Sequence, residues 1–379
     1  MSNKKKYIVI GSSAAGLSAV LQLRRLDAES SIVCISDEQE QPYNKCLLAS
    51  YCANNRTLET VFTQTTQAVN TNFMLGTRVV QIHAAEREIV LDTGQALAYD
   101  GLFLGLGCKP IIPQVFQDTN RAGIFTYYSL NAVQQILAYI QQHDVSSVIV
   151  IGAGLNGLEC ADAFMQRGLK VTVIEREAHI LPMSYDSVGA EFITNRFENN
   201  GCSIYTQETV VELITHDNKI SGVVVSSGTM VPGQLIIIAA GMQPATDILE
   251  NTGIELVNGA VVANSFLQTT VPEIYAGGDC LMRNGRWPDA VIQGMHAAHN
   301  MAGEAKTYPG VMRYAKTTVR DVPIVMAGDL MMREGCHATV NQTNETYERL
   351  VFDREDRLRG FFLINSQDRL ASLRKTLCY

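Results

Sequence analysis

The sequence lacks three features that would place it in common classes of protein. Its nine cysteines form no C-x-x-C motif, which argues against a zinc knuckle or other metal site and against a disulfide framework; a reducing, cytoplasmic compartment fits best. No apolar run reaches the roughly 18 residues needed to span a bilayer. Positive charge is not in excess, because 30 Lys and Arg stand against 38 Asp and Glu, for a net charge of −8. This balance argues against nucleic acid or an anionic membrane as the main partner.

What the sequence does contain is one pattern twice. The length of 379 residues predicts two or three domains. Residues 6–10 predict a strand, 11–16 a turn of small residues, 17–26 a helix and 31–36 a second strand, which together make a βαβ unit. The same order returns over residues 147–175. The simplest explanation is two copies of one nucleotide-binding architecture.

The second small-residue turn carries the sharper signal. Gly152, Gly154 and Gly157 form a complete G-x-G-x-x-G between a predicted strand and a predicted helix. Such glycines allow a tight turn, close approach of a pyrophosphate and close packing of the helix on the strand. Glu175 ends the next strand, where an acid binds ribose hydroxyls and repels a 2′-phosphate. The pattern therefore favours NADH over NADPH.

The first turn is a variant of the same motif. Gly11 and Gly16 are present, Ser13 replaces the middle glycine, and Ala14 and Ala15 fill the remaining positions before Gly16. Serine is small enough to allow close approach of a ligand. Two acids close the following strand, Asp37 and Glu38, and the sequence does not choose between them as the ribose ligand.

A third marker comes later in the chain. Residues 270–280 predict a strand that runs into Gly277, Gly278 and Asp279. A carboxylate at the mouth of a sheet can accept hydrogen bonds from sugar or ribitol hydroxyls. The alternative is that Asp279 only caps the following helix.

Taken in order, these motifs resemble the two-dinucleotide-domain flavoprotein reductases, the FAD-dependent pyridine nucleotide-disulfide oxidoreductases that include glutathione reductase and rubredoxin reductase. The resemblance implies an NADH oxidoreductase that binds FAD in the first copy, with Asp279 on its ribitol side, and NADH in the second. It also implies that Glu159 lies near the nicotinamide. It further implies that Gly107 and Gly241, in the small-residue ends of two predicted strands, belong to the same two cofactor sites.

Residues 42–50 discriminate within the family. They resemble the corresponding segment of rubredoxin reductases and of the flavoprotein end of nitrite reductases, which implies that Lys45 lies near the flavin and stabilises its reduced, anionic ring. Cys46 departs from that subgroup and matches the single redox cysteine of NADH oxidases and coenzyme A-disulfide reductases. Lys45 would lower the pKa of such a cysteine. A buried, space-filling Cys46 is the other interpretation.

The sequence thus predicts an α/β fold with two Rossmann-like, glutathione reductase-like domains and a small α+β domain. The expected FAD domain is 1–114 plus 242–310, the NAD(H) domain 115–241 and the C-terminal domain 311–379. Hairpins are expected near 73–96 and 202–225. The expected function passes electrons from NADH through FAD to a small carrier protein such as rubredoxin. The alternative is a thiol-dependent NADH oxidase, or a disulfide or persulfide reductase, that uses Cys46.

Overall fold

A computed structural model of the protein describes residues 4–63, 71–117, 121–182, 186–281, 286–310 and 312–377. The chain divides into two compact units, each built from separate stretches of sequence. Unit 1 comprises Met1–Leu48, Arg56–Lys109 and Met242–Val311, and unit 2 comprises Ala49–Asn55, Pro110–Gly241 and Met312–Tyr379.

The helices of the described residues are α1 (Ala14–Leu26), α2 (Leu48–Cys52), α3 (Leu130–Gln142), α4 (Leu155–Gln166), α5 (Ser187–Glu198), α6 (Trp287–Ala302) and α7 (Leu370–Thr376). The strands of the first half are β1 (Lys6–Ile10), β2 (Ser31–Ser36), β3 (Asn72–Leu75), β4 (Val79–His83), β5 (Glu88–Leu91), β6 (Ala96–Ala98), β7 (Gly101–Leu104), β8 (Cys108–Pro110), β9 (Ile124–Thr126), β10 (Ser147–Ile151), β11 (Lys170–Ile174) and β12 (Ser203–Tyr205). Those of the second half are β13 (Val210–His216), β14 (Lys219–Val225), β15 (Met230–Pro232), β16 (Leu235–Ile238), β17 (Met242–Pro244), β18 (Leu256–Val257), β19 (Ala260–Val261), β20 (Ile274–Ala276), β21 (Tyr314–Val319), β22 (Val322–Gly328), β23 (His337–Gln342), β24 (Tyr347–Phe352) and β25 (Leu358–Ile364).

Unit 1 is organised around a parallel sheet with the strand order β20-β7-β1-β2-β3. Its central strands are apolar on both faces, as is typical of parallel sheets covered on both sides. Strand β1 pairs with β2 so that Ile10 lies opposite Ile35, and with β7 so that Ile10 lies opposite Leu104. The carboxyl ends of β1, β2 and β7 therefore meet at one edge, which is where open α/β sheets bind ligands.

Helices α1 and α6 pack against each other closely in unit 1. A Cβ added to Gly294 on α6 would lie 2.1 Å from the carbonyl oxygen of Ala15 on α1, so only glycine fits there. This contact holds the first turn of α1 in place. A three-stranded antiparallel sheet, β4-β5-β6, completes the unit together with the short pairs β8–β17 and β18–β19.

Unit 2 repeats the parallel arrangement with the order β12-β11-β10-β16-β9. Ile151 of β10 lies opposite Ile174 of β11 and Ile238 of β16. These registers are the counterparts of those in unit 1, so the duplication inferred from the sequence is present in three dimensions. The prediction of an α/β fold with two Rossmann-like parallel sheets is confirmed.

Unit 2 also contains a three-stranded antiparallel sheet, β13-β14-β15, and a five-stranded antiparallel sheet with the order β21-β22-β25-β24-β23, against which α7 packs through Leu373. Two buried contacts tie this sheet to helices of the dinucleotide-binding part. The Tyr347 hydroxyl donates to Asp186, the N-cap of α5, at 2.6 Å, and the Arg320 guanidinium donates to Asp162 of α4 at 3.2 Å. Because both belong to one compact unit, the division into three domains with the boundaries given above stays a prediction.

Two details of the sequence-based expectation were wrong. Residues near Phe73 and Ile204 do not open hairpins, because β3 and β12 pair in parallel with β2 and β11 at the sheet edges. The antiparallel pairs begin later, at β4 with β5 and at β13 with β14. In the described part of the chain, no helix is both long and apolar enough to cross a membrane. Cys378 lies outside the described residues.

Candidate functional site

Two glycines of the first turn are required by the backbone itself. Gly11 has φ +96°, and a Cβ there would lie 2.1 Å from the carbonyl oxygen of Gly105. A Cβ on Gly16 would lie 1.7 Å from the carbonyl oxygen of Gly11. These glycines let β1 turn sharply into α1 next to the end of β7.

In the second turn the backbone likewise requires two of the glycines, whereas the third glycine lies in open space. Gly152 has φ +103°, a Cβ there would lie 2.4 Å from the carbonyl oxygen of Ala239, and one on Gly157 would lie 2.0 Å from that of Gly152. Gly154, by contrast, has no heavy atom of the described residues within 4 Å of an added Cβ. Packing within the protein does not demand a glycine at position 154. The open space in front of it fits the pyrophosphate that a G-x-G-x-x-G turn approaches.

Ser13 occupies the position in unit 1 that Gly154 occupies in unit 2. Each is the N-cap of its helix, α1 or α4, with extended backbone. The Ser13 side chain makes no capping hydrogen bond. Ala14 and Ala15 follow as buried residues in the first turn of α1. The backbone N–H groups of that turn, which have no acceptor within the helix, are the donors offered to an anion.

Glu175 is built into the second turn. Its side chain is only 7% exposed. One carboxylate oxygen accepts a hydrogen bond from the N–H of Ala153 at 2.6 Å, and the other accepts from the N–H of Glu177 at 2.9 Å. The carboxylate thus braces the glycine turn. Because a carboxylate oxygen has two lone pairs, each oxygen can still accept from a ribose hydroxyl.

The registers of the two sheets show that the two copies do not carry their acid at the same position. The N–H of Gly11 donates to Ile35, and the N–H of Gly152 donates to Ile174. Ser36 is therefore the counterpart of Glu175, and the acids of unit 1 follow one and two residues later. Sequence comparison of the two copies missed this shift, which only the strand pairing reveals.

Asp37 and Glu38 have different surroundings. The carboxylate of Glu38 accepts from the Tyr43 hydroxyl at 2.6 Å and from the Lys45 ammonium at 2.8 Å, one on each oxygen. Asp37 is exposed directly after β2. Glu38 is thus committed to the 43–45 segment, whereas Asp37 is available to a ligand at the carboxyl edge of the sheet.

Asp279 lies at the start of a short 3-10 turn directly after β20 and Gly278. Gly278 has φ +81° and its N–H donates to the side chain of Gln293 on α6 at 2.7 Å. The Cys108 thiol donates to Asp279 at 3.1 Å, a partner that the sequence did not suggest. Gly107, with φ +66°, and its counterpart Gly241, with φ +108°, make the turns after β7 and β16.

Lys45 and Cys46 lie in a 3-10 turn, Lys45–Leu47, that is capped by the Asn44 side chain, which accepts from the N–H of Cys46 at 3.0 Å. Cys46 is exposed, so the interpretation as a buried, space-filling residue is wrong. Two buried cysteines are inert by comparison. Burial raises the pKa of Cys52 to about 11 and that of Cys280 to about 12, which keeps both thiols protonated.

Glu159 lies on α4, one turn after Gly154, and is half-buried. Burial raises the pKa of its carboxyl group, and a hydrogen bond from the Thr317 hydroxyl, at 2.5 Å, acts in the opposite direction. The Tyr127 ring and the Cys160 thiol lie near enough to interact with it electrostatically. Thr317 is on β21, far along the chain, so sequence reasoning had no signal for it.

The predicted site residues therefore form two groups. Unit 1 brings the first turn, Asp37, Glu38, Lys45, Cys46, Gly107 and Asp279 to the carboxyl edge of its parallel sheet or to the segments that follow it. Unit 2 does the same for the second turn, Glu159, Glu175 and Gly241. Each group has the chemistry of a dinucleotide site: a helix N-terminus for phosphates and acids for hydroxyls.

Comparison with known proteins points the same way. The family model described as pyridine nucleotide-disulphide oxidoreductase matches residues 5–302. An NADH oxidase from Methanocaldococcus jannaschii is 29% identical over 339 residues, which cover 84% of this chain and 75% of that protein. An NAD(P)H nitrite reductase from Bacillus subtilis is 24% identical over 93% of this chain, which spans only 43% of its length.

One relative and one solved structure match nearly end to end. The ferredoxin–NAD(+) reductase component of a 3-phenylpropionate/cinnamic acid dioxygenase from Photorhabdus laumondii is 25% identical, covering 98% of this chain and 95% of that protein. The structure of NADH:rubredoxin oxidoreductase from Clostridium acetobutylicum superposes with a TM-score of 0.82 at 20% identity, covering 99% of this chain and 95% of that one. At that identity the structural likeness supports the fold.

Proposed function

Because the chain belongs to the pyridine nucleotide-disulphide oxidoreductase family, we propose that it passes electrons from NADH through a bound FAD to a small one-electron carrier protein. The family prediction, and with it the prediction of an FAD-dependent NAD(P)H oxidoreductase, is confirmed at the level of the family. The acceptor and the roles of individual residues are the proposal.

The proposal that the second turn binds NADH rests on the open space in front of Gly154. No heavy atom of the described residues would lie within 4 Å of a Cβ added at Gly154, so this space can hold a ligand. The N-terminus of α4 donates to the pyrophosphate, and Glu175 accepts from ribose hydroxyls. A 2′-phosphate there would meet a buried carboxylate, so the site favours NADH over NADPH.

In unit 1, the equivalent turn with Ser13 at its centre binds the FAD pyrophosphate. Asp37 accepts from the FAD ribose, because it is exposed directly after β2, whereas the charge of Glu38 is offset by its ion pair with Lys45. Asp279 accepts from the ribitol chain. Bound FAD supplies the conversion of a two-electron donor into single electrons, which protein side chains do not provide.

A carrier protein is favoured as acceptor because the surroundings of Cys46 do not match those of an activated thiol. The neighbouring cation, Lys45, forms a 2.8 Å ion pair with Glu38, so its charge is shared with a carboxylate. The end-to-end match to a ferredoxin–NAD(+) reductase component supports the same choice. A rubredoxin-like or ferredoxin-like protein is the proposed class of acceptor.

One observation favours a second candidate. Cys46 is the exposed cysteine of unit 1 and lies in a capped turn beside Lys45. Solvent access is one of the conditions that a redox-active cysteine requires, and Cys46 meets it although the Lys45 charge is shared with Glu38. A thiol-dependent NADH oxidase, or a disulfide or persulfide reductase, would use that sulfur.

An anaerobic NADH titration of the purified flavoprotein, followed by its visible spectrum, separates these functions. The proposal predicts that one equivalent of NADH bleaches the flavin within seconds, with no long-wavelength thiolate–flavin band, and that Cys46→Ser retains most carrier reduction. Uptake of a second equivalent, with a long-wavelength band that Cys46→Ser abolishes, would assign the function to Cys46. A flavin that NADH does not bleach would refute both.

A further inference from the structure

Strand β21 of the C-terminal sheet runs alongside α4, the helix that opens at the second glycine turn. Two contacts fix this alignment, one from Thr317 on β21 and one from Arg320 directly after β21, and their partners lie three residues apart on α4. The Thr317 hydroxyl donates to one carboxylate oxygen of Glu159 at 2.5 Å. Arg320 donates to Asp162 through its backbone N–H at 3.1 Å and its guanidinium at 3.2 Å. The sheet thus contacts the same face of α4 that carries Glu159.

The Thr317 contact restricts the Glu159 side chain. Glutamate has three rotatable side-chain bonds, and a half-buried carboxyl group with one oxygen fixed loses most of that freedom. Thr317 is itself half-buried on a strand that Arg320 anchors, so its hydroxyl is held in turn. The second carboxylate oxygen of Glu159 therefore has a defined direction.

We propose that Thr317 is a positioning residue for NADH, which makes the C-terminal sheet part of the nicotinamide end of the cofactor site. This inference rests on the proposed function, with NADH bound at the second turn, and on the position near the nicotinamide that the family resemblance implies for Glu159. Thr317 holds one oxygen of Glu159, so that the other oxygen can accept an N–H of the nicotinamide carboxamide. Thr317 itself does not touch the cofactor.

The chemistry of the dinucleotide provides a way to isolate this role. Gly154 and Glu175 serve the pyrophosphate and the adenosine ribose, and ADP-ribose contains both of these groups. ADP-ribose lacks the nicotinamide, so its binding does not depend on Glu159 or on what positions Glu159. Comparing NAD+ with ADP-ribose therefore separates a local positioning effect from general damage to unit 2.

The test measures dissociation constants for NAD+ and ADP-ribose by isothermal titration calorimetry on the FAD-loaded protein; NAD+ is used because it does not reduce the flavin. Thr317→Val removes the hydroxyl at nearly constant volume, and Thr317→Ser keeps it. Thr318→Val is the matched control, because Thr318 is the exposed neighbour on the same strand. Should Thr317→Val not fold, Thr317→Ala takes its place.

We expect Thr317→Val to weaken NAD+ binding about fivefold or more, the loss typical of one hydrogen bond. ADP-ribose binding should stay within about twofold of wild type, as should both ligands in Thr317→Ser and Thr318→Val. Equal weakening of both ligands by Thr317→Val, or of neither, would overturn the positioning role while leaving the NADH site intact. Wild-type protein that binds neither ligand would instead refute the NADH site, and the inference with it.

Discussion

Replacing Glu175 with glutamine tests the cofactor preference most directly, because it changes the charge while almost preserving the shape. In the protein the carboxylate accepts from the N–H groups of Ala153 and Glu177 at 2.6 and 2.9 Å. A glutamine has one carbonyl oxygen, and its NH2 group cannot accept. One of the two backbone N–H groups therefore loses its partner in Glu175→Gln.

The magnitudes follow from this lost acceptor. Leaving a buried N–H without a partner costs about 1–3 kcal/mol, so the free energy of unfolding should fall by that amount. A charge-assisted hydrogen bond to the NADH ribose contributes about 1.5–3 kcal/mol, so kcat/KM for NADH should fall about 10- to 100-fold. NADPH should lose less, because the variant no longer sets a carboxylate against its 2′-phosphate. The ratio of kcat/KM for NADH to that for NADPH should therefore fall, by up to about the same 10- to 100-fold if NADPH loses nothing.

Steady-state kinetics with both cofactors and an artificial electron acceptor measure this ratio, and urea unfolding measures the stability. Glu191→Gln is the matched control, since it removes one negative charge from an exposed position on α5 of the same unit. An unchanged NADH/NADPH ratio in Glu175→Gln would refute the assignment of Glu175 to the ribose, even if the stability falls as calculated.

Three shorter predictions concern other parts of the two sites. Gly154→Ala should change the free energy of unfolding by less than about 1 kcal/mol, because the added Cβ meets open space. The same substitution should weaken ADP-ribose binding, measured by calorimetry, at least about tenfold. Normal binding would exclude this turn as the pyrophosphate site. Asp37→Ala should lower the FAD retained after gel filtration more than Glu38→Gln does, and the opposite order would assign the ribose to Glu38. Burial raises the pKa of Glu159 above its usual 4.5, so the stability this group contributes is present in acid and lost as pH rises through the raised pKa. Urea unfolding should therefore show Glu159→Gln gaining stability relative to wild type between pH 4.5 and pH 8, and a constant difference would contradict this.

Much of the fold was accessible from the sequence because its strongest signals are local. The strand, glycine turn and helix of each copy occupy about thirty consecutive residues, and within those stretches Gly16 and Gly157 are dictated by backbone clashes with the carbonyl oxygens of Gly11 and Gly152. The small α+β part expected after residue 310 likewise rested on short stretches of the sequence. Family membership followed from the order of these local motifs.

The errors and omissions are non-local. A short apolar run such as that around Phe73 pairs equally well in parallel or antiparallel, and the free sheet edge beside β2 decides between them. The commitment of Glu38 to Tyr43 and Lys45 depends on how the chain folds back after β2. The hydrogen bond from Thr317 to Glu159 joins residues 158 positions apart, beyond any sequence periodicity.

The split of unit 1 across the chain has a consequence for its synthesis. Strand β7 is complete at Leu104, but its partner β20 begins only at Ile274, about 170 residues later, and α6 later still. At typical translation rates of about 5–20 residues per second, β20 and α6 are synthesised roughly 10–30 s after β7. Until then, the apolar edge of β7 and the small-residue face of α1 have no partner in the chain. The growing chain therefore carries an unpaired, aggregation-prone strand edge on the ribosome while Pro110–Gly241 of unit 2 is being made. Chaperone binding to nascent chains should peak in this interval and end once α6 has emerged.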